Sequence, residues 1–584
     1  MGDQPPASLD ENADTVVVQT AAPSADRPAE RPTWWRRPSL QALMAFLSYV
    51  IVAFVLWTLP IGGHLATRHM GMGGNDVRLY MWSMGWTPHA ITNGLNPFHT
   101  DIVYAPGGAD LTWVTTMPGP ALALWPVTEA FGPLASANLA MLLAPALAGW
   151  AAFLVCRRVT RTFWPALLGG YLVGFSSYMV GQMYGHVNLL LIFPAFLGAY
   201  LVVRRVEGSL GTVPFVAFMT LAIVGLFSIS TELVATASMF GAIALLGAWA
   251  FGGAGRGRIL RAGLQTGAAY VLAAALLLPV LLPAVREAPA EPVRPATKAS
   301  VDLLSFVTPR VSMLVGGERY RDVSGNFTSN ALEDGAYVGI VLIAMLVAAA
   351  ASRWRHRETW LLLGLVLVVG LLALGPVLHV RGEESIGLPG AFLTETPLLE
   401  HATPQRFSAY LWLPIGVIAA IWLSGARGVW GWARWAVVIL GAITLLPLVE
   451  APPRGRQVPV PRFVSEGTFR EHIEEGEIVF VIPTTKGDEM VWQAAADFEF
   501  RMGQGYIGPI PDAYLGTGIA KGLALHQPNP FVPPVTVVKR YVRLHDITAF
   551  VSSDPATPKF AKLLQDAGWH PERVEDVTLW RPAA

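Results

Sequence analysis

Eleven apolar stretches constrain this chain more than any other feature. They fall roughly at 40–61, 135–156, 163–182, 187–203, 212–230, 232–252, 263–285, 336–352, 359–379, 407–424 and 432–450. Most approach the ~20 residues that a helix needs to cross a bilayer. In lipid, every backbone N–H and C=O has to be satisfied within the protein, so runs like these become helices packed into a bundle. The composition agrees. Charged residues make up 14% of the 584 and hydrophobic residues 53%, whereas a soluble domain carries about 25% charge. A soluble protein of this size is therefore excluded. The 41 basic side chains balance 41 acidic ones, which leaves no surplus to neutralise nucleic-acid phosphates. A single cysteine, Cys156, rules out an internal disulfide or a thiolate metal cluster.

The placement of arginine predicts the orientation. Trp34, Trp35, Arg36 and Arg37 stand just before the first stretch, with no signal peptide ahead of them, which predicts a cytoplasmic N-terminus. Every second connection should then be cytoplasmic and basic. Arg157, Arg158 and Arg161 fill the first of these, Arg204 and Arg205 the second, and Arg256, Arg258 and Arg261 the third. Arg353, Arg355 and Arg357 fill the fourth, and the segment from Arg427 to Arg434 the fifth. This pattern puts the 62–134, 286–335 and 380–406 loops and the C-terminal tail on the outer face of a multi-pass plasma-membrane protein. Residues 1–33, rich in Pro, Ala, Asp and Glu, read as a disordered cytoplasmic tail. Residues 34–450 read as the transmembrane domain and 451–584 as an extracytoplasmic α/β domain. The latter shows β-type runs at 477–483, 535–542 and 546–551 and a helix at 558–567. The expected fold class is mainly α, a polytopic membrane protein of about eleven helices with a C-terminal α/β domain outside.

The 62–134 loop is far longer than the 2–8 residues usual between bundle helices. From Asp76 onward, Leu79, Trp82, Trp86 and Ala90 recur at helical spacing. That predicts an amphipathic helix lying in the interface with its tryptophans at headgroup level, and 118–127 reads as a re-entrant or interfacial helix. Asp76, at the start of the amphipathic helix, has two compatible readings: a cap for orphan backbone N–H groups, or a general base near the headgroup plane. Glu232 sits in the tight hairpin between the fifth and sixth stretches, as a first-turn acid or as a ligand for sugar hydroxyls. His186 and Asn188 occupy another short outer hairpin, as a solvated histidine and a helix cap or as substrate ligands. In the tail, Trp492, Gln493 and the run Gly503-Gln504-Gly505-Tyr506 suit a domain core or sugar recognition. No metal site is expected, because His64, His69, His89 and His99 lack i,i+3 or i,i+4 spacing. Neither a P-loop nor a Gly-x-Ser-x-Gly elbow is present.

One set of motifs carries a family resemblance. It comprises Asn75-Asp76-Val77 with Tyr80, Trp82, Trp86, His89 and Ala90, then Asn93-Gly94-Leu95-Asn96-Pro97-Phe98 and Tyr104-Ala105-Pro106-Gly107-Gly108. Gly185-His186-Val187-Asn188-Leu189 and Pro404-Gln405-Arg406-Phe407 complete it. Across roughly 40–450 the chain resembles bacterial GT-C superfamily membrane glycosyltransferases, the broad group related to protein mannosyltransferases and lipid-A glycosyltransferases. Its tail resembles the periplasmic extensions of actinobacterial members. The resemblance implies an enzyme that passes a sugar from a polyprenyl-phosphate donor to a cell-envelope glycan or glycolipid on the outer face, with no other cofactor. It implies a general base in the first outer loop, which by position is Asp76. The family often shows an acidic pair there; Asn75 replaces one member, which favours a metal-free site. The departing phosphate calls for cations, and arginine's fork suits phosphate oxygens. Arg406, Arg381, Arg310 and Arg78 are the outer-face candidates, each with the plainer alternative of an interface anchor. Two other classes stay open. A lipid or polysaccharide transporter or flippase would place charges mid-membrane, where these stretches have almost none. A non-catalytic envelope-assembly protein on the same scaffold would use the tail as a binding module.

Overall fold

The computed structural model describes residues 37–71, 75–286, 295–329, 333, 335–396, 399–448, 460–482, 487–507, 535–553 and 558–582. The tail read over 1–33 and residues 34–36 of the aromatic-basic anchor at 34–37 lie outside them. By its contacts the chain divides into Met1–Gln41 and Ala42–Ala584. Of the first unit only 37–41, the beginning of helix α1 (Pro38–Ala53), is described.

Each apolar stretch is helical over most of its length. Among the described residues, six helices are long and apolar enough to cross a membrane: Pro38–Ile61, Pro133–Thr160, Val187–Val206, Thr231–Phe251, Gly253–Arg286 and Pro404–Ser424. Thr212–Phe227, Ile340–Ser352 and Gly428–Thr444 are apolar but shorter, as are Phe163–Gly174 and Arg357–Ala373. The expected lengths fail where the chain breaks. The third stretch stops at Gly174 and restarts at Ser177, where the Ser176 hydroxyl accepts from the Met179 N–H. The eighth begins with an extended segment, 335–339, instead of helix. Gly335 lies against the Tyr178 backbone, where an added Cβ would sit 2.3 Å from Tyr178 Cα, and Gly339 has φ of 83°. Neither position accepts a helical residue with a side chain.

Helices Pro133–Thr160 and Pro404–Ser424 form the centre of the bundle, with 72% and 78% of their apolar windows buried; Gly253–Arg286, at 11%, faces outward. The central helices meet Phe163–Gly174 through glycine. A Cβ on Gly416 would lie 2.6 Å from the Gly169 carbonyl oxygen, and one on Gly174 2.4 Å from that of Pro145. Small residues let backbones approach closely where lipid offers no hydrophobic drive for association.

The 62–134 segment folds onto the C-terminal domain. Its main element is α2 (Asn75–Thr92), followed by the two-residue strands β1 (His99–Thr100) and β2 (Ala109–Asp110). The 118–127 stretch divides between two short helices, Pro118–Ala123 and Trp125–Phe131. The end of the ninth stretch leaves the helix for β3 (Val377–Val380), which makes a hairpin with β4 (Glu383–Gly387). The C-terminal domain carries β5 (Ile478–Ile482), β6 (Arg501–Met502), β7 (Ala549–Ser553), β8 (Trp569–Val574) and β9 (Val577–Pro582) in one sheet ordered β6-β5-β7-β9-β8. β5 runs parallel to β6 and β7; β9 is antiparallel to β7 and β8. The helix at Pro558–Asp566 matches expectation, but 535–542, read as a strand from its valines, belongs to helix Val535–Leu544. There Val538 and Tyr541, three apart, are buried; packing of that face overrides β-branched composition.

The tryptophans of α2 depart from expectation. Trp82 and Trp86 are fully buried, stacked 5.2 Å apart, with Phe498 of the C-terminal domain edge-on to both. They occupy a protein core instead of the headgroup plane. One side of α2 gives Val77, Tyr80, Met81 and Met84 to the bundle core. The other gives Leu79, Trp82, Trp86 and Ala90 to the core of the C-terminal domain. The segment 102–105 also extends the sheet: Val103 pairs with Met502, and the Ala105 N–H donates to the Met502 carbonyl at 2.8 Å.

Candidate active site

Asp76 lies inside the first turn of α2. Its Oδ1 accepts a hydrogen bond from the Tyr506 hydroxyl at 2.7 Å. Its Oδ2 lies 3.5 Å from His186 Nε2. The same His186 nitrogen lies 3.3 Å from Glu333 Oε1. Glu333 Oε2 accepts from Gln405 Nε2 at 2.8 Å and from Arg406 Nε and Nη2 at 3.2 and 3.0 Å. Arg406 Nη1 donates to Glu232, whose other oxygen accepts from the Thr403 N–H at 3.2 Å. One connected array thus runs Tyr506, Asp76, His186, Glu333, Arg406, Glu232.

Local structure explains how each member arrives. His186 ends the turn between helices Ser177–Gln182 and Val187–Val206, with its N–H bonded to the Gln182 carbonyl at 3.0 Å. Glu333 is delivered by the extended 335–339 segment. The Ser177 hydroxyl lies 2.8 and 2.7 Å from the carbonyls of Gly335 and Tyr337, and Gln182 Nε2 donates to the Glu333 carbonyl at 3.4 Å. Glu232 opens helix Thr231–Phe251, where Ser230 caps by accepting from the Leu233 N–H. Arg406 sits in the 3₁₀ turn Pro404–Leu411 leading into the central helix. Helix starts and one extended segment therefore converge at a single end of the bundle.

Burial is graded along the array. The side chains are 39% exposed at Asp76, 13% at His186 and 0% at Glu333. A carboxylate open to solvent at one end is thus backed by a buried carboxylate held by a guanidinium. Charge-assisted bonds of this kind are the strong ones. Among the described residues, three of Arg406's five N–H donors serve Glu232 and Glu333, and two are left over. Beside the array, the Tyr80 hydroxyl donates to Asn188 Oδ1 at 2.6 Å. Burial, and then the Asp76 charge, push the Tyr80 phenol well above its ordinary value, so it stays a donor. Among the described residues, no group of three or more His, Cys, Asp or Glu could hold a metal ion.

Of the residues singled out from sequence, the structure brings together Asp76, His186, Glu232 and Arg406, with Asn188 adjacent. It sends the other arginines elsewhere. Arg78 pairs with Asp488 of the C-terminal domain. Arg310 is buried, bonded to Ser324 and Ser329 and stacked 4.7 Å over Phe327, which ties its own loop together. Arg381 is exposed at the β3–β4 turn, with φ of 56°. Sequence reasoning missed Glu333, Gln405 as a ligand of Glu333, and the reach of Tyr506 to Asp76. Glu333 carried one signal: the pair Glu333-Asp334 stands immediately before an apolar stretch, on the same face as Glu232.

Residues 49–449 match a family described as a domain of unknown function, DUF6311. No curated protein matches the sequence. Among solved structures, arabinofuranosyltransferase AftD from Mycobacteria is similar with a TM-score of 0.54 at 13% identity, over 93% of this chain and 40% of that one. A mutant of AftD gives 0.55 at 12% identity, over 93% and 41%. ArnT from Cupriavidus metallidurans bound to undecaprenyl phosphate gives 0.46 at 11% identity, over 92% and 98%. The chain spans about two-fifths of the length of AftD. The likeness to AftD is one of fold: this is a membrane protein with the GT-C glycosyltransferase fold. With well over half of its 584 residues matched, the chain belongs to the DUF6311 family.

Proposed function

We propose that the chain is a GT-C glycosyltransferase that moves a sugar from a polyprenyl-phosphate donor to a hydroxyl of a cell-envelope glycan or glycolipid, with Asp76 as general base. The observation that carries this reading is the array itself. A partly exposed carboxylate, a histidine, two further carboxylates and a guanidinium converge at one end of an otherwise apolar bundle. Ionisable groups gathered at one end of a membrane bundle mark a site of chemistry or transport.

In this reading the acceptor oxygen attacks the anomeric carbon while Asp76 takes its proton. The bond between the anomeric carbon and the phosphate oxygen breaks, and the phosphate leaves with the electron pair. Arg406 uses its two remaining donors on the phosphate, where charge develops. Glu232 and Glu333 hold the guanidinium in place. Together with Asn188 and His186, Glu232 also offers acceptors and donors to sugar hydroxyls.

Asp76→Asn tests the base. The amide keeps the shape and can still accept from Tyr506, so expression and thermal stability are expected to stay as in the native protein. Sugar transfer from a polyprenyl-phosphate donor is expected to fall roughly 10²–10⁴-fold, the range of a positioned proton acceptor. Undiminished transfer in a well-folded Asp76→Asn protein would remove the assigned base. Passage of labelled carrier lipid across vesicles without sugar transfer would instead favour a flippase.

A further inference from the structure

Among the described residues, the C-terminal domain meets the array at Asp76, through Tyr506. We propose that this domain is a working part of the site, with Tyr506 as a positioning residue that fixes the orientation of the Asp76 carboxylate. The inference rests on the reading of Asp76 as the base, and it adds a residue from a part of the chain about 430 positions away.

Three independent sets of contacts carry it. The first is the hydroxyl of Tyr506 on Oδ1 of Asp76 at 2.7 Å, which leaves Oδ2 on the side of His186. A carboxylate free to rotate presents either oxygen; one anchored through Oδ1 presents Oδ2 in a fixed direction. The second set holds the helix that bears Asp76. Arg78, two residues on, pairs with Asp488, and Trp82 Nε1 donates to Gln493 Oε1 at 2.8 Å. Gln493 in turn donates to the carbonyls of Ile102 and Phe500 at 2.8 and 3.0 Å, joining loop and domain through one buried amide. The third set holds Tyr506 itself. The preceding Gly505 lies so close to the 102–105 segment that a Cβ there would come within 2.0 Å of Val103 Cγ1. The Gly505 carbonyl accepts from the Tyr104 hydroxyl at 2.6 Å. The backbone before Tyr506 is therefore pinned to the same loop that carries α2, and the distance from Tyr506 to Asp76 is fixed from both ends.

The arrangement gives the hydroxyl a role that packing alone does not. Asp76 is the most exposed acid of the array, so packing constrains its rotamer least and a directional bond constrains it more. Productive attack requires the reacting groups to be placed within a fraction of an ångström, and a misplacement of about 1 Å costs on the order of 10²-fold in rate.

The test is Tyr506→Phe in the full-length protein, beside Asp488→Asn, which loosens α2 without touching Asp76. For Tyr506→Phe, kcat is expected to fall about 10- to 100-fold with the KM for acceptor changed less than about twofold. Amide hydrogen exchange over 76–80 is expected to rise while exchange in β5, β7 and β9 stays as in the native protein. Asp488→Asn should raise exchange over the same residues and lower kcat less. A uniform fall in stability without the kcat-against-KM split would overturn the proposal and leave Tyr506 a packing residue. So would native kcat in Tyr506→Phe while Asp76→Asn is inactive, an outcome that leaves the base assignment standing. If Asp76→Asn transfers sugar normally, the base assignment falls and exchange alone decides: a local rise over 76–80 keeps Tyr506 as the anchor of that turn, and no rise overturns it.

Discussion

Glu333 shows how much one buried side chain can organise. Its carboxylate is fully inside the protein, yet it meets Arg406, Gln405 and His186. Burying a carboxylate is costly unless it is paired and hydrogen-bonded. Truncation to Ala leaves the Arg406 guanidinium, itself mostly buried, with Glu232 as its remaining carboxylate. Glu333→Ala is therefore expected to destabilise the protein by about 3–5 kcal/mol, the usual result of breaking a buried pair, seen as a lower melting temperature in detergent. Glu333→Gln keeps the shape and part of the hydrogen bonding. It is expected to fold and to lose kcat, because Arg406 and His186 shift when the charge between them is gone. An inactive but stable Glu333→Gln together with an unstable Glu333→Ala separates positioning from folding. The partner of Glu333 was visible in the sequence, because Arg406 opens an apolar stretch outside the connections expected to be basic. Glu333 itself lies in a loop, where no periodicity marks which acid turns inward.

At the scale of elements, the bundle is set by where glycines let helices touch. Gly416 in Pro404–Ser424 and Gly169 in Phe163–Gly174 face one another, each within 2.7 Å of where the other's Cβ would meet carbonyl oxygen. Gly364, in Arg357–Ala373, has nothing within 4 Å of its would-be Cβ. Gly416→Val is expected to cost about 2–3 kcal/mol, since the atom met is backbone and cannot rotate away. Gly364→Ala is expected to be neutral or to stabilise by up to ~1 kcal/mol through helix propensity. Thermal unfolding of the two variants in one detergent distinguishes a packing glycine from a merely permissive one. Both positions look alike in sequence, a glycine within an apolar run. The helices themselves were legible, because hydropathy depends only on local composition. Their true ends were not: Gly335 and Gly339 make the eighth stretch begin as extended chain, and only the neighbour Tyr178 shows why.

For the whole molecule, the junction between loop and C-terminal domain contains a pH-sensitive group. Glu489 is fully buried in helix Asp488–Ala495, beside the Asp488 that holds Arg78. Burial, and secondarily the Asp488 charge, raise its carboxyl from 4.5 to about 8. Between those values the folded protein holds a proton that the unfolded chain releases. The stabilisation is complete below about 4.5 and is lost as pH rises through about 8. The melting temperature of the full-length protein is expected to fall from pH 5 to pH 8. Glu489→Gln, which cannot ionise, should flatten that profile and raise the melting temperature at pH 8. An unchanged pH profile in Glu489→Gln would show that Glu489 is not the group responsible.

Local composition set the medium and the chemistry available: apolar runs that helices satisfy in lipid, and a small set of polar residues left over at their ends. Asp76, His186, Glu232 and Arg406 stood out because ionisable side chains among apolar stretches are few. Tertiary structure alone decided which of them meet. It turned Trp82 and Trp86 away from the bilayer surface into a shared core, diverted Arg78 and Arg310 to structural pairs, and placed Glu333 and Tyr506 at the array. The physical reason is range. Hydropathy and helix starts are fixed by neighbours along the chain, whereas a hydrogen bond between residues 76 and 506 depends on how every intervening helix packs.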